Sequence, residues 1–157
     1  MECIVKPASP ARQGVDLMPG ENLLICGLRA WAAARCAGEA PHRPVSQALA
    51  RRTNARVAAL FLAWIQAVEA SILRPILAEC DHCGGAAPDV QRLVVACGVA
   101  PVAFDLGEKL IAPLVSDPQG VMILARSLNA ALAQAGWPLP ARLGAPTEPG
   151  EAHRTVH

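Results

Sequence analysis

Two cysteines and a histidine lie close together near the middle of the chain, in the segment Cys80-Asp-His-Cys83. Two thiolates at this spacing can hold one zinc ion, and the two glycines that follow permit the tight backbone turn such a site needs. A closed structural site requires two more ligands. Cys97, fourteen residues downstream of Cys83, is the expected third ligand, and His82 the expected fourth.

The fourth position stays open between His82, Cys36 and His42. Another interpretation also stays open, in which Cys97 and Cys26 are buried apolar residues and the CDHC segment is an ordinary loop. We expect a structural zinc site, and zinc is the only cofactor that we expect. Its ligands are Cys80, Cys83, Cys97 and His82.

Catalytic chemistry has weaker support. A redox-active CxxC pair sits at the positive N-terminal end of a helix, whereas this pair follows a long helix and is flanked by Glu79 and Asp81. Both features raise the pKa of the thiols and disfavour thiol–disulfide exchange. The phosphate-binding, hydrolase and metalloprotease motifs are missing from the sequence. We therefore expect no enzymatic activity, with an unrecognised site around Glu69 or His82 as an alternative.

Composition narrows the class of partner. The 157 residues are 53% hydrophobic and 17% charged, with a net charge of +1 and only 3% aromatic residues. This balance excludes disorder of the whole chain and gives no support to nucleic-acid binding. The basic cluster 51–56 is interpreted as the solvated start of a helix. The abundance of alanine favours helix over strand. Together with the excess of arginine over lysine, it is typical of a GC-rich bacterial genome.

The elements that must position these residues follow from apolar spacing. We expect an all-α, single-domain bundle of about five helices at 20–137, between a flexible arm at 1–19 and a Pro/Gly-rich disordered tail at 138–157. The predicted helices begin after Gly20, near Thr53, at Pro88, at Pro101 and at Pro118. A loop is expected over 39–44, where two prolines lie close together.

The central helix carries the strongest pattern. Apolar residues recur at steps of three and four from Val57 to Leu73, and the stripe continues past Pro75, which predicts a kink. Gln66 and Glu69 interrupt the stripe, and it is shorter than the roughly twenty apolar residues that a membrane span requires. A buried core helix is the preferred interpretation, and a membrane-associated protein that uses the 57–73 stripe is the alternative.

Three stretches resemble a family of small uncharacterised helical proteins from alphaproteobacteria. They are 23–33 (LLICGLRAWAA), 71–83 (SILRPILAECDHC) and 122–139 (MILARSLNAALAQAGWPL). The shared features are an Arg-Pro-Ile-Leu turn, a cysteine cluster after it and a final alanine-rich helix that ends in Gly-x-Pro-Leu. This resemblance implies a helical fold and carries no activity or functional residues.

The sequence thus predicts a helical binding or adaptor protein that contacts a protein partner or a second copy of itself. The N-terminal residues contain three prolines and no long apolar run, which is unlike a secretory signal. We therefore expect a cytoplasmic protein whose cysteines are reduced thiols or metal ligands.

Overall fold

Residues 16–76 and 86–144 are described by the computed structural model. They form six α-helices, and no β-strand is present among them. In chain order the helices are α1 (Pro19–Cys36), α2 (His42–Ala50), α3 (Ala55–Ser71), α4 (Pro88–Val99), α5 (Phe104–Ile111) and α6 (Pro118–Gln134). The all-α bundle expected from the sequence is confirmed.

The helices close into a ring. Helix α3 packs against α2 and α6, α6 against α4, α4 against α1, and α1 against α2, while α5 packs on α4 and α6. The stripe predicted on the central helix fills the middle of this ring: Val57, Phe61, Trp64, Ile65 and Val68 are all buried. These five residues are covered by the protein's own core, whereas Ile72 and Leu73, at the end of the stripe, are exposed. None of the helices in the described ranges combines the length and apolar character needed to cross a membrane.

Two aromatic residues fill the centre of the core. The rings of Phe61 and Trp64 meet edge-on, with centroids 5.6 Å apart and planes at 70°, a geometry that adds to the gain from burial. Phe61 reaches across to α1, where a Cβ on Gly27 would lie 2.8 Å from the tip of the ring. Gly27 is therefore required by the close approach of the Phe61 ring.

The predicted loop at 39–44 is wrong at its second half, because α2 begins at His42. Pro44 lies in the first turn of this helix, where backbone N–H groups have no intrahelical acceptor and a missing donor costs little. The described ranges consequently contain six helices where about five were expected.

The predicted kink at Pro75 is also wrong. Helix α3 ends at Ser71, and Ile72 is already extended with φ −62° and ψ 132°. Pro75 has no N–H to donate to the Ser71 carbonyl, and the chain here pairs with the α5–α6 connection instead. The Leu73 N–H donates to Leu114 O at 2.8 Å, and the Ser116 N–H donates to Ser71 O at 2.7 Å.

The later helices differ from their predictions mainly in length. Helix α4 begins at Pro88 as expected but runs past Gly98, and α5 occupies only the middle of the predicted 101–114. Helix α6 matches: Asp117 accepts from the Gly120 N–H, Pro118 is the first residue, and Gly136 has the positive φ of 83° that ends it.

The boundary predicted at 137 is not where the packed structure stops. Residues 137–142, called the strap below, lie against α1 and α4, and Arg142 forms an ion pair with Glu21. The rest of the predicted tail, 145–157, and the first fifteen residues of the arm lie outside the described residues.

Candidate metal centre and its flanks

The CDHC cysteines and His82 belong to the segment 77–85, called the cysteine segment below, which lies outside the described residues. Cys97 is the one member of the expected ligand set that the structure places. Within the described ranges no three His, Cys, Asp or Glu side chains gather where they could hold a metal ion. The zinc site therefore stays a prediction.

Cys97 lies in the core between α4 and α6, with no exposed surface. Its Sγ donates to Ala125 O at 3.5 Å, and its backbone carbonyl accepts from the Asn129 side-chain amide at 2.8 Å. Burial raises the pKa of the Cys97 thiol far above its ordinary value. A zinc ligand must be a thiolate, so this environment favours the interpretation of Cys97 as a buried apolar residue.

The other candidate ligands that the structure describes lie on α1 and α2. Cys36 is exposed as the last residue of α1, and His42 is the first residue of α2. Cys26 is partly buried on α1. Cys26, Cys36 and Cys97 all carry free thiols.

The two flanks of the cysteine segment are held together by an ion pair. Arg74 precedes the segment and Asp89 follows it, in the first turn of α4. The Arg74 Nη1 and Nη2 atoms donate to Asp89 Oδ2 and Oδ1, both at 2.8 Å. Bidentate geometry fixes both distance and orientation, and the contact with Asp89 raises the pKa of Arg74. The residues on either side of the cysteine segment are therefore held close together in space.

The upstream flank is fixed a second time by backbone pairing. Ile72 and Val115 form an antiparallel bridge, and the adjoining bonds of Leu73 and Ser116 lie on either side of it. Two apolar side chains project from this pinned backbone, Ile72 at 37% and Leu73 at 60% exposure. They precede the cysteine segment in the sequence.

Glu69, the alternative centre for an active site, is engaged in an ion pair. Its Oε1 and Oε2 accept from Nε and Nη2 of Arg35 at 2.6 and 2.8 Å. The hydrogen bond from Arg35 lowers the pKa of Glu69, against the opposing effect of partial burial. Its partner Arg35 lies in the last turn of α1.

One open cavity of about 430 Å³ lies between the end of α5 and the start of α6. Asp117, one of its lining residues, already caps α6. The lining residues are Glu108, Lys109, Ala112, Asp117, Pro118 and Gln119.

Comparison of the chain with protein-family models, with curated proteins and with solved structures finds no match. The class that the fold defines is a small all-α bundle, and function must be argued from its own residues.

Proposed function

We propose that this chain is a non-enzymatic, cytoplasmic helical binding protein, in which zinc bound by the cysteine segment orders a surface for a protein partner. Cys80, His82 and Cys83 supply the first ligands, with Cys97 or Cys36 as candidates to complete the set. The role of zinc is structural: it holds its ligands in one arrangement and takes no part in a reaction.

The observation that carries this proposal is the Arg74–Asp89 ion pair. Because it holds the two flanks together, the cysteine segment has less conformational freedom to lose when it closes around a metal. The free thiols at Cys26, Cys36 and Cys97 suit the reducing cytoplasm, where zinc-binding cysteines stay available.

The proposed partner surface is formed by apolar residues that precede this segment in the sequence. Ile72 and Leu73 present apolar side chains on a backbone that is already fixed, so a partner that covers them loses little ordering entropy. The partner is either another protein or a second copy of this chain.

The test is the zinc content of protein purified without chelator or a His tag, for the wild type and for Cys80→Ser. We expect about one zinc ion per chain in the wild type, and its loss with a fall in thermal stability in the variant. Cys26→Ser is the matched control, since Cys26 is outside the ligand set, and it should keep the metal. Absence of zinc from every protein would overturn the metal part of the proposal.

Two further variants refine it. Zinc retained in Cys97→Ala would assign Cys97 to the core and require another ligand. Leu73→Asp should abolish any self-association that light scattering detects in the wild type, or weaken capture of a partner. Unchanged association in Leu73→Asp would move the binding surface elsewhere.

A further inference from the structure

The strap lies in a groove whose floor is made by two glycines from different helices. A Cβ on Gly20, at the start of α1, would lie 2.6 Å from the carbonyl oxygen of Pro138. A Cβ on Gly98, near the end of α4, would lie 2.4 Å from the carbonyl oxygen of Pro140. No side chain fits between these helices and the strap. The backbone of the strap therefore contacts the groove directly. These two contacts do not depend on which side chains the strap carries at 138 and 140.

Three strap side chains are recognised individually. The Leu139 side chain packs between the glycines, with its Cδ2 3.1 Å from the Cβ position of Gly20. The Trp137 indole N–H donates to Arg52 O at 3.2 Å. The Arg142 Nε and Nη2 atoms donate to the carboxylate of Glu21 at 2.7 and 2.8 Å.

Glu21 gives the groove its charge preference. Its side chain is only 3% exposed, and a carboxylate this buried requires a cation beside it. Arg142 is the cation present, and its Nη2 also donates to Asp16 O at 3.0 Å. The end of the groove is thus built for a guanidinium, which matches a carboxylate with two parallel bonds.

The strap is attached in the manner of a docked peptide. After the Trp137 N–H, which donates to Leu132 O, its backbone makes no backbone–backbone hydrogen bond within the described ranges. Pro138 and Pro140 have no N–H to donate. Proline-containing segments bind grooves in this way because they lose little entropy on docking. The strap begins directly after Gly136, whose φ of 83° turns the chain out of α6.

We propose that this groove is a peptide-recognition site, which the chain's own strap fills in the free protein. Its external ligand is an extended, proline-containing segment of another protein, with a leucine three residues before an arginine. The strap acts as an internal competitor at an effective concentration of about millimolar. A partner segment gains access by outcompeting it. None of the residues that form this site belongs to the cysteine segment, so its failure would leave the zinc proposal standing.

The test uses the full-length chain and a fluorescent peptide of sequence WPLPARLG, which reproduces residues 137–144. Fluorescence anisotropy measures its binding to the wild type, to Arg142→Ala and to Arg142→Ala combined with Glu21→Gln. The apparent Kd equals the intrinsic Kd divided by the fraction of chains whose strap is open, so weakening the strap should tighten peptide binding about tenfold or more. The Glu21→Gln change should remove that gain. Arg29→Ala, at an exposed arginine of α1, should bind like the wild type.

Three results would overturn the proposal. A folded Arg142→Ala chain that binds the peptide no better than the wild type would make the strap a permanent part of the fold. A peptide-free Arg142→Ala dimer would assign the groove to the strap of a second copy. If Arg142→Ala does not fold, Arg142→Lys retains the charge and loses the bidentate fork. Its peptide affinity should rise about threefold, and no rise would count against the site equally.

Discussion

Replacing Arg142 by alanine should lower the free energy of unfolding by about 2 kcal/mol at neutral pH. The change leaves the Glu21 carboxylate, 3% exposed, with one remaining hydrogen bond, from the Met18 N–H at 2.8 Å. Breaking a fully buried ion pair costs roughly 3–5 kcal/mol. The smaller figure applies here because the Arg142 side chain is 32% exposed and partly hydrated.

The pH dependence distinguishes a charge effect from loss of packing. Burial by itself would raise the pKa of Glu21, but the bonds from Arg142 and Met18, with the charge of Arg142, lower it below the ordinary 4.5. The stabilisation is therefore fully present above pH 4.5. It is lost as the pH falls through the lower pKa of the folded state. In Arg142→Ala the effect of burial is less opposed, so the pKa of Glu21 should rise.

The assay is urea unfolding followed by circular dichroism, at neutral pH and at several values below 4.5. The stability difference between wild type and Arg142→Ala should shrink steadily as the pH falls. A double-mutant cycle with Glu21→Gln should give a coupling energy of about 1 kcal/mol or more. Arg29→Ala should change stability by less than about 0.5 kcal/mol. A difference that is the same at every pH, or a coupling near zero, would refute the ion-pair explanation.

Three local features give further predictions. Asp117→Ala removes a helix cap and should cost about 1 kcal/mol in urea unfolding. Gly107→Ala would place a Cβ 2.0 Å from Met122 Cε. The end of this side chain is flexible, but Met122 is fully buried, so the overpacking should cost about 1 kcal/mol by the same measurement. In native protein, iodoacetamide should alkylate exposed Cys36 about a hundredfold faster than buried Cys97, whose thiol pKa is raised. Peptide mapping by mass spectrometry would read out the two rates.

Each of these has a matched comparison. Asp105→Ala changes an exposed aspartate in the first turn of α5 that forms no cap, and it should be close to neutral. Gly144→Ala adds a Cβ with no atom within 4 Å and should cost little. Rapid alkylation of Cys97 at the rate of Cys36 would show that α4 and α6 separate readily. Equal losses in Asp117→Ala and Asp105→Ala would remove the capping explanation.

Helix α6 shows why part of the fold follows from sequence. Its cap Asp117, its first-turn Pro118 and its terminal Gly136 all act within a few residues, so their effects are visible in a short window. The same holds for the apolar stripe of α3, whose residues share one face of one helix. Local signals of this kind predicted the helical class and most of the helix starts.

The sequence did not predict features that depend on contacts between residues far apart along the chain. Helix α3 ends at Ser71 because the next residues pair with the α5–α6 connection, more than forty positions away. Pro75 predicted a kink only because that pairing could not be seen. The strap was assigned to the tail from its proline content, yet its place is determined by two glycines and by Glu21, on helices far from it in sequence.

The candidate sites also combine a local sequence signal with contacts that only the structure shows. The CDHC spacing is a local signal and gives the zinc hypothesis directly, whereas nothing in the sequence around Cys97 indicates that its thiol faces Ala125. The Arg74–Asp89 pair joins residues fifteen positions apart, and many other carboxylates were equally available to Arg74. Arginine–carboxylate partners of this kind need a three-dimensional structure to be identified.

The Glu21–Arg142 pair also has a consequence for the order of events during synthesis. The two residues are 121 positions apart, so Glu21 leaves the ribosome long before its partner exists. The first helices can collapse on one another at that stage, but their groove stays unfilled and its carboxylate exposed to water. We therefore expect docking of the strap to be a late step of folding. Because that contact forms late, we expect its loss to accelerate unfolding and leave the rate of folding nearly unchanged.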